Sequence, residues 1–139
     1  FVDWARRSAP LMTNGGSLLT VTFMGGKKVT PSYNVMGPVK AALESSVRYL
    51  ANDLGIDGIR VNAISPGPMK TLAGAAIGGA RQVFRGTEKN APLRKNADLD
   101  AVGNAALFLL SDNSLSTTGE IIYVDGGYHI MGLPSLENL

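Results

Sequence analysis

The sequence predicts an α/β protein built on a doubly wound parallel sheet. Three short apolar runs, at residues 17–23, 59–64 and 120–124, have the length and composition of buried strands. Segments with apolar residues at helical spacing separate these runs, so strand and helix alternate along the chain. Because parallel neighbours are joined by crossover helices, this order favours a parallel sheet with helices on both faces.

The first element is predicted to be a helix over residues 1–12. Phe1, Trp4 and Ala5 begin an apolar pattern at helical spacing, and Asn14-Gly15-Gly16 ends it before the first strand. The chain starts inside this pattern, and three strands are few for a doubly wound sheet. We therefore expect residues 1–139 to be a partial single domain whose N-terminal half is missing.

The second helix is predicted over residues 34–54, after a loop at 24–32 that contains glycine, proline and lysine. Gly55 suits its C-terminal end, and the strand at 59–64 follows. One apolar stripe at 3.6-residue spacing supports the helix. It consists of Val35, Val39, Ala42, Leu43, Val47, Leu50, Ala51 and Leu54.

The last third of the chain is predicted to begin with an irregular stretch at 65–94, interrupted by a short helix at about 79–85. Asn96 or Asp98 can cap a helix that runs to about Leu110. The strand at 120–124 then ends at Asp125-Gly126-Gly127. The two glycines fit either a tight turn or close packing against a cofactor, and the neighbouring His129 is interpreted as a packed or exposed residue.

The composition narrows the function classes. With 45% hydrophobic and 17% charged residues, the chain is globular in type. It has no cysteine, which excludes disulfides and thiolate metal sites, and no metal is expected. The net charge of +2 comes from scattered residues, so no nucleic acid is expected as a partner. No apolar run is long enough to span a bilayer, so no membrane is expected either.

The candidate site is predicted at the carboxyl ends of the strands, where ligands bind in open α/β sheets. Long loops follow the strands at this edge, whereas the connections at the opposite edge are short. Tyr33 and Lys40 belong here, seven residues apart and about 10 Å apart along a helix axis. A nearby ammonium lowers the pKa of a phenol, which suits it to donate to a developing oxyanion. Taken alone, this spacing also fits a structural pair.

The sequence around this pair resembles a known family. Tyr-Asn-Val-Met-Gly-x-x-Lys-Ala-Ala-Leu-Glu begins at Tyr33, Gly-Ile-Arg-Val-Asn-Ala-Ile-Ser-x-Gly-Pro begins at Gly58, and Thr-Gly-Glu-x-x-x-Val-Asp-Gly-Gly ends at Gly127. Together they resemble the C-terminal half of the bacterial NADH-dependent enoyl-acyl-carrier-protein reductases, in the short-chain dehydrogenase/reductase superfamily. The resemblance implies the C-terminal part of a Rossmann-like doubly wound sheet.

The resemblance is specific, because the Tyr-x6-Lys spacing separates this family from most short-chain dehydrogenases. Ordinary members have Tyr-x3-Lys and an upstream serine, and in this sequence those positions fall on Met36 and Phe23. Neither side chain can perform that chemistry. An ordinary ketone reductase mechanism is therefore disfavoured.

The resemblance implies an enzyme that reduces the trans-2 double bond of an enoyl thioester with NADH, in fatty acid synthesis. Its substrate would be an enoyl-acyl-carrier protein or enoyl-CoA, and the complete protein would be a cytoplasmic homo-oligomer, usually a tetramer. Tyr33 would bind the thioester carbonyl and Lys40 the nicotinamide ribose. The remaining implied site residues divide between cofactor and substrate. They are Ile64, Pro68, Met69 and Thr71 for the cofactor, and Phe23, Met36 and Ala80 for the substrate.

Two departures from the family pattern concern the substrate pocket. Phe23 stands where many members have a second tyrosine, which keeps the aromatic ring and loses the hydroxyl. Ala80 stands where an aromatic residue often closes the acyl pocket. We therefore expect a roomier pocket, with substrate range affected more than reaction type.

Two other interpretations stay open. The chain has no glycine-rich phosphate-binding loop after any predicted strand, so it could be a non-catalytic fragment that binds NADH poorly. It could also be another short-chain reductase that acts on a substrate without a carrier. A panel of enoyl thioesters, ketones and steroids distinguishes the last interpretation from the first.

Overall fold

A computed structural model describes residues 1–71 and 79–138 of the chain. Within these residues, helix and strand alternate as the sequence predicts, with short 3₁₀ turns between them. The strands are β1 (Gly16–Val21), β2 (Ile59–Pro66) and β3 (Ile121–Val124), and the α-helices are α1 (Val2–Ser8), α2 (Met36–Leu54), α3 (Ala80–Asn90) and α4 (Leu99–Leu110).

The three described strands form one parallel sheet in the order β1-β2-β3. Gly16 pairs with Ile59 and Val21 with Ile64, and on the other side of β2 Ala63 pairs with Ile121. All eight residues of β2 are buried, as expected for a central strand between two helical layers. The carboxyl ends of the three strands therefore lie along one edge of the sheet.

One face of the sheet is covered by α2. Val47 and Ala51 of this helix pack with Ile59, Val61 and Ala63 of β2, and all five are buried. Alternate residues of a strand point to opposite faces, so these three β2 side chains share a face. The core thus fixes α2 directly above the central strand.

The opposite face of the sheet is in contact with α4, whose Leu109 is fully buried. Arg60 is buried there and its guanidinium donates to the carbonyl oxygens of Leu109 and Ser111 and to the hydroxyl of Ser114. Helices on both faces confirm the predicted doubly wound arrangement. Asp98 caps α4, with its carboxylate accepting a bond from the Ala101 amide at 2.7 Å.

The helix boundaries differ from prediction mainly at the start of α2 and the end of α3. The first turn of α2 begins at Met36 rather than residue 34, because Asn34 has a φ of 51°, outside the helical range. Helix α3 continues to Asn90, five residues beyond the predicted end near Arg85, and no proline interrupts it.

The predicted apolar stripe of α2 is wrong in its first turns. Val35 and Val39 are 65% and 49% exposed, whereas Glu44 is buried and the half-buried Lys40 donates to the end of β1. Hydrophobic spacing cannot detect a face that contacts polar groups at a strand end. Trp4, which belongs to the predicted apolar pattern of α1, is 75% exposed.

Candidate active site

A cavity of about 510 Å³ opens at the carboxyl edge of the sheet. Its walls come from the segments after β1 and β2, from the first turns of α2, and from α3. This is the edge at which the sequence places a ligand site. The lining residues are Thr22, Phe23, Thr30, Pro31, Tyr33, Met36, Lys40, Pro66, Gly67, Pro68, Met69, Thr71, Ala80, Val83 and Phe84.

The cavity brings together most residues that the resemblance implies. Phe23, Tyr33, Met36 and Ala80 line it, as do Lys40, Pro68, Met69 and Thr71. Ile64 does not: it is fully buried in β2, and its carbonyl accepts a bond from the Thr22 amide at 2.8 Å. It supports the strand end beneath the site rather than the cavity wall.

Tyr33 is presented by a turn between β1 and α2. The Tyr33 amide donates to the Thr30 carbonyl at 3.1 Å, and Pro31 and Ser32 form the centre of the turn. Ser32 and Asn34, on either side of the tyrosine, have φ of 65° and 51°, which costs side-chain-bearing residues free energy. Such local strain persists where the surrounding structure fixes the backbone, as it does at this cavity.

The Tyr33 ring is held between aromatic and backbone neighbours. Its centroid lies 5.1 Å from that of Phe23, with the planes inclined by 59°. Such tilted aromatic pairs are favourable beyond the area they bury. Burial raises the pKa of the Tyr33 phenol above its ordinary value, so the group is a neutral hydrogen-bond donor at physiological pH.

Lys40 lies on the face of α2 that looks toward β1. Its ammonium donates to the carbonyl oxygen of Val21 at 3.0 Å. The sequence predicts that this ammonium lowers the pKa of Tyr33, and that prediction is wrong for this structure. The ammonium is engaged at the strand end, and loss of hydration dominates the titration of the phenol.

The loops after β2 and β3 meet beside the cavity. The Gly67 amide donates to the Val124 carbonyl at 2.8 Å, and a Cβ added to Gly67 would lie 3.1 Å from Cα of Asp125. This close approach explains a glycine between Pro66 and Pro68. It fixes the start of the loop that carries Met69 and Thr71.

The Gly126-Gly127 pair forms a tight turn, with φ of 66° and 86°. Buried Asp125 accepts bonds from the amides of Gly127 and His129 and contacts Nδ1 of His129 at 3.0 Å. The His129 ring stacks on Tyr123 with centroids 3.9 Å apart. His129 is thus packed against Tyr123 and Asp125, which is one of the two placements that the sequence suggests.

Val83 and Phe84 line the cavity and were missed by the reasoning from sequence. The Lys70 ammonium lies 5.1 Å from the centroid of the Phe84 ring, and the Asn96 side chain donates to the Phe84 carbonyl at 2.8 Å. These contacts hold α3 against the loop after β2. The only available signal was the position of Phe84 one turn after Ala80 on a helix.

Among residues 1–71 and 79–138, no three His, Cys, Asp or Glu side chains are grouped so that they could hold a metal ion. No helix in the described part of the chain has the length and apolarity needed to cross a membrane.

Fold and site together define the class, an α/β protein with a Rossmann-like parallel sheet and a candidate site at the carboxyl ends of its strands. A family model described as enoyl-(acyl carrier protein) reductase matches residues 1–129. The chain belongs to the enoyl-(acyl carrier protein) reductase family.

Curated relatives of this chain are named as enoyl-[acyl-carrier-protein] reductases. The NADH enoyl-[acyl-carrier-protein] reductase 2 of Rhizobium meliloti is 56% identical over 139 residues, which are 100% of this chain and 52% of the relative. The FabI reductase of Synechocystis is 55% identical over 129 residues, covering 93% of this chain and 50% of the relative. The chain therefore spans about half the length of the curated relatives it matches.

Solved structures show the same likeness. FabI from Candidatus Liberibacter asiaticus superposes with a TM-score of 0.94 at 50% identity, over 97% of this chain and 52% of the other. The reductase of Anaplasma phagocytophilum, solved in complex with NAD, gives a TM-score of 0.90 at 55% identity, over 95% and 50% of the two chains. The fold predicted from the sequence is confirmed.

Proposed function

We propose that this chain is the C-terminal half of an NADH-dependent enoyl-acyl-carrier-protein reductase of fatty acid synthesis. The single observation that carries the proposal is the cavity at the carboxyl edge of the sheet, which is lined by both Tyr33 and Lys40 of one Tyr-x6-Lys motif. In this proposal residues 1–139 are part of one domain, completed by an N-terminal half.

The cavity suits a polar ring with an acyl chain beside it. Tyr33 and Lys40 provide hydrogen-bond donors, whereas Phe23, Met36 and Phe84 provide apolar wall. Few polar groups set in a mostly apolar wall are typical of small-molecule sites. When bound, NADH supplies the hydride that the β-carbon of an enoyl thioester accepts.

Tyr33 is proposed to act on the thioester carbonyl. Its phenol is neutral, so it can donate a hydrogen bond to the carbonyl oxygen as negative charge develops there. The turn at Thr30 and the Phe23 ring hold the donor in place before substrate arrives. Such preorganisation favours the charged transition state over the neutral substrate.

Lys40 is proposed to bind the ribose next to the nicotinamide. An ammonium has three donors, and the contact to Val21 uses one of them. Pro68, Met69 and Thr71 would contact the nicotinamide end of the cofactor, with Ile64 supporting the strand end beneath them. Met36 and Ala80 would contact the acyl chain.

The proposal extends to the complete protein. Its substrate would be an enoyl chain on an acyl-carrier protein or on CoA, and the protein would work as a cytoplasmic homotetramer. The carrier-bound substrate is supported by family membership and by relatives named as NADH enoyl-[acyl-carrier-protein] reductases.

A substrate panel tests the proposed function. The protein would be a completed chain, in which the part of the Rhizobium meliloti relative that this chain does not cover precedes residue 1. We expect NADH consumption with trans-2-enoyl thioesters and none with ketoacyl thioesters or steroids. Reduction of a ketone or steroid without reduction of an enoyl thioester would contradict the proposal.

A calorimetric titration tests the alternative that residues 1–139 alone are a non-catalytic fragment that binds NADH poorly. The sequence has no glycine-rich loop to hold a pyrophosphate, so we expect weak NADH binding by the 139-residue chain. Tight binding in a one-to-one ratio would contradict that expectation. The completed chain is the matched control.

A further inference from the structure

Glu44 is a buried carboxylate that the proposed chemistry does not use. It lies on α2 one turn after Lys40 and is only 7% exposed. Its Oε1 accepts a hydrogen bond of 2.8 Å from the hydroxyl of Thr22, which is 2% exposed. Burial of a carboxylate is unfavourable unless hydrogen-bond donors replace the lost water, and the Thr22 hydroxyl is such a donor.

Two bonds join one face of α2 to two consecutive residues at the end of β1. The Lys40 ammonium donates to the Val21 carbonyl at 3.0 Å, and the Thr22 hydroxyl donates to Glu44. Lys40 and Glu44 are four residues apart, the spacing that places side chains next to each other on a helix. The strand end is therefore attached to α2 at two adjacent points.

The hydrogen bond between Thr22 and Glu44 lies at the base of the cavity wall. Thr22 lines the cavity, immediately precedes Phe23, and donates its amide to the Ile64 carbonyl at 2.8 Å. The chain then folds over the same carboxylate, since a Cβ added to Gly26 would lie 2.8 Å from Oε1 of Glu44. Movement at Glu44 would thus reach the segment that carries Phe23 and Tyr33.

We propose that Glu44 is a positioning residue, which acts through Thr22 to hold the end of β1 and the cavity wall built on it. This inference rests on the proposed function, and it gives Lys40 and Glu44 different roles. Lys40 can exchange its contact with Val21 for a ligand hydroxyl, because Glu44 keeps the strand end in place.

Hydrogen–deuterium exchange of the completed chain tests the attachment independently of activity. Thr22→Val removes the hydroxyl at nearly constant volume, and Thr22→Ser keeps it. We expect Thr22→Val to speed exchange in residues 22–33 by about tenfold or more, and Thr22→Ser to match the parent. Glu44→Gln, which keeps an acceptor oxygen, should lie closer to the parent than Glu44→Leu.

The exchange pattern separates positioning from general stability. Residues 59–66 of β2 are the internal reference, and we expect their exchange to stay unchanged in Thr22→Val. Lys40→Met should also leave residues 22–33 protected, because the Glu44 attachment remains. Unchanged exchange at 22–33 in Thr22→Val, or equal acceleration in β2, would overturn the proposal.

Kinetics test the consequence for the reaction. We expect Thr22→Val to lower kcat for an enoyl thioester by about tenfold with KM for NADH within about twofold, and Lys40→Met to raise that KM. Parent-like kcat in Thr22→Val would overturn the positioning role. If the parent reduces no enoyl thioester, the proposed function fails, and the exchange experiment still decides whether Glu44 holds the wall.

Discussion

Gly25 packs directly against the ring of Tyr33. A Cβ added to Gly25 would lie 2.5 Å from Cδ1 and 2.8 Å from Cε1 of the tyrosine, and 3.3 Å from Cδ1 of Phe23. The absence of a side chain at Gly25 therefore decides where the phenol stands. The proposed donor is positioned by a glycine, an aromatic neighbour and a turn, and each of these can be tested.

Gly25→Ala should move the Tyr33 ring. The added methyl overlaps the ring, and relieving such overlap costs about 1–3 kcal/mol. We expect a clear loss of enoyl reductase activity with a smaller fall in the thermal unfolding midpoint, measured on the completed chain. Gly55→Ala is the control, because nothing lies within 4 Å of a Cβ there. Equal activity in the two variants would show that the ring position is unimportant.

We expect the midpoint of the Tyr33 titration to lie above the ordinary phenol pKa of about 10. Burial raises the pKa of Tyr33, so the folded protein holds this proton more strongly than the unfolded chain. Its contribution to stability is complete below the unfolded pKa and is lost as pH rises through the folded value. Phenolate absorbance of the parent minus that of Tyr33→Phe reports the midpoint, and a midpoint below 10 would refute the assignment.

Phe84→Ala should extend the cavity at α3. The Phe84 ring lines the cavity and lies beside the Lys70 ammonium, whereas Asn96 bonds to the Phe84 backbone carbonyl. Because the Asn96 bond does not depend on the side chain, it holds α3 in place and removal of the ring leaves open space. We expect the ratio of kcat/KM for long over short enoyl chains to rise by about tenfold. Gln82→Ala, an exposed change on the same helix, should leave the ratio unaltered. A parallel change at all chain lengths would argue against a role in chain selection.

Thr30→Val should stabilise the protein. The Thr30 hydroxyl oxygen is buried without a hydrogen-bond partner among the described residues, which is unfavourable by about 1–3 kcal/mol. We expect a higher thermal unfolding midpoint for Thr30→Val and a lower one for Thr22→Val, whose hydroxyl is bonded to Glu44. A lower midpoint for both variants would mean that the Thr30 hydroxyl has a partner.

Much of the fold could be predicted because its signals are local. Three β-branched runs, the cap at Asp98 and the glycine turn after β3 each carry their own signature, and all three are found. The edge of the sheet that holds the site follows from parallel topology alone. The loops that follow the strands could therefore be assigned to this edge from the sequence, and Tyr33 and Met69 of these loops line one cavity.

The errors arise where a contact depends on groups distant in sequence. Lys40 bonds to Val21 and Glu44 to Thr22, so polar side chains of α2 contact the end of β1, while Val35 and Val39 are exposed. The raised pKa of Tyr33 depends on burial, which residue spacing does not reveal. Phe84 reaches the cavity only because Lys70 and Asn96 hold α3 beside it.

The most direct test of the central claim compares the completed chain with its Tyr33→Phe variant, by following NADH absorbance with a trans-2-enoyl thioester. We expect consumption by the parent and a loss of about 10²- to 10³-fold in the variant, with NADH binding retained. Loss of NADH binding would indicate a damaged site. A variant that reduces the thioester at the parental rate would contradict the assignment of Tyr33 as the donor to the carbonyl oxygen.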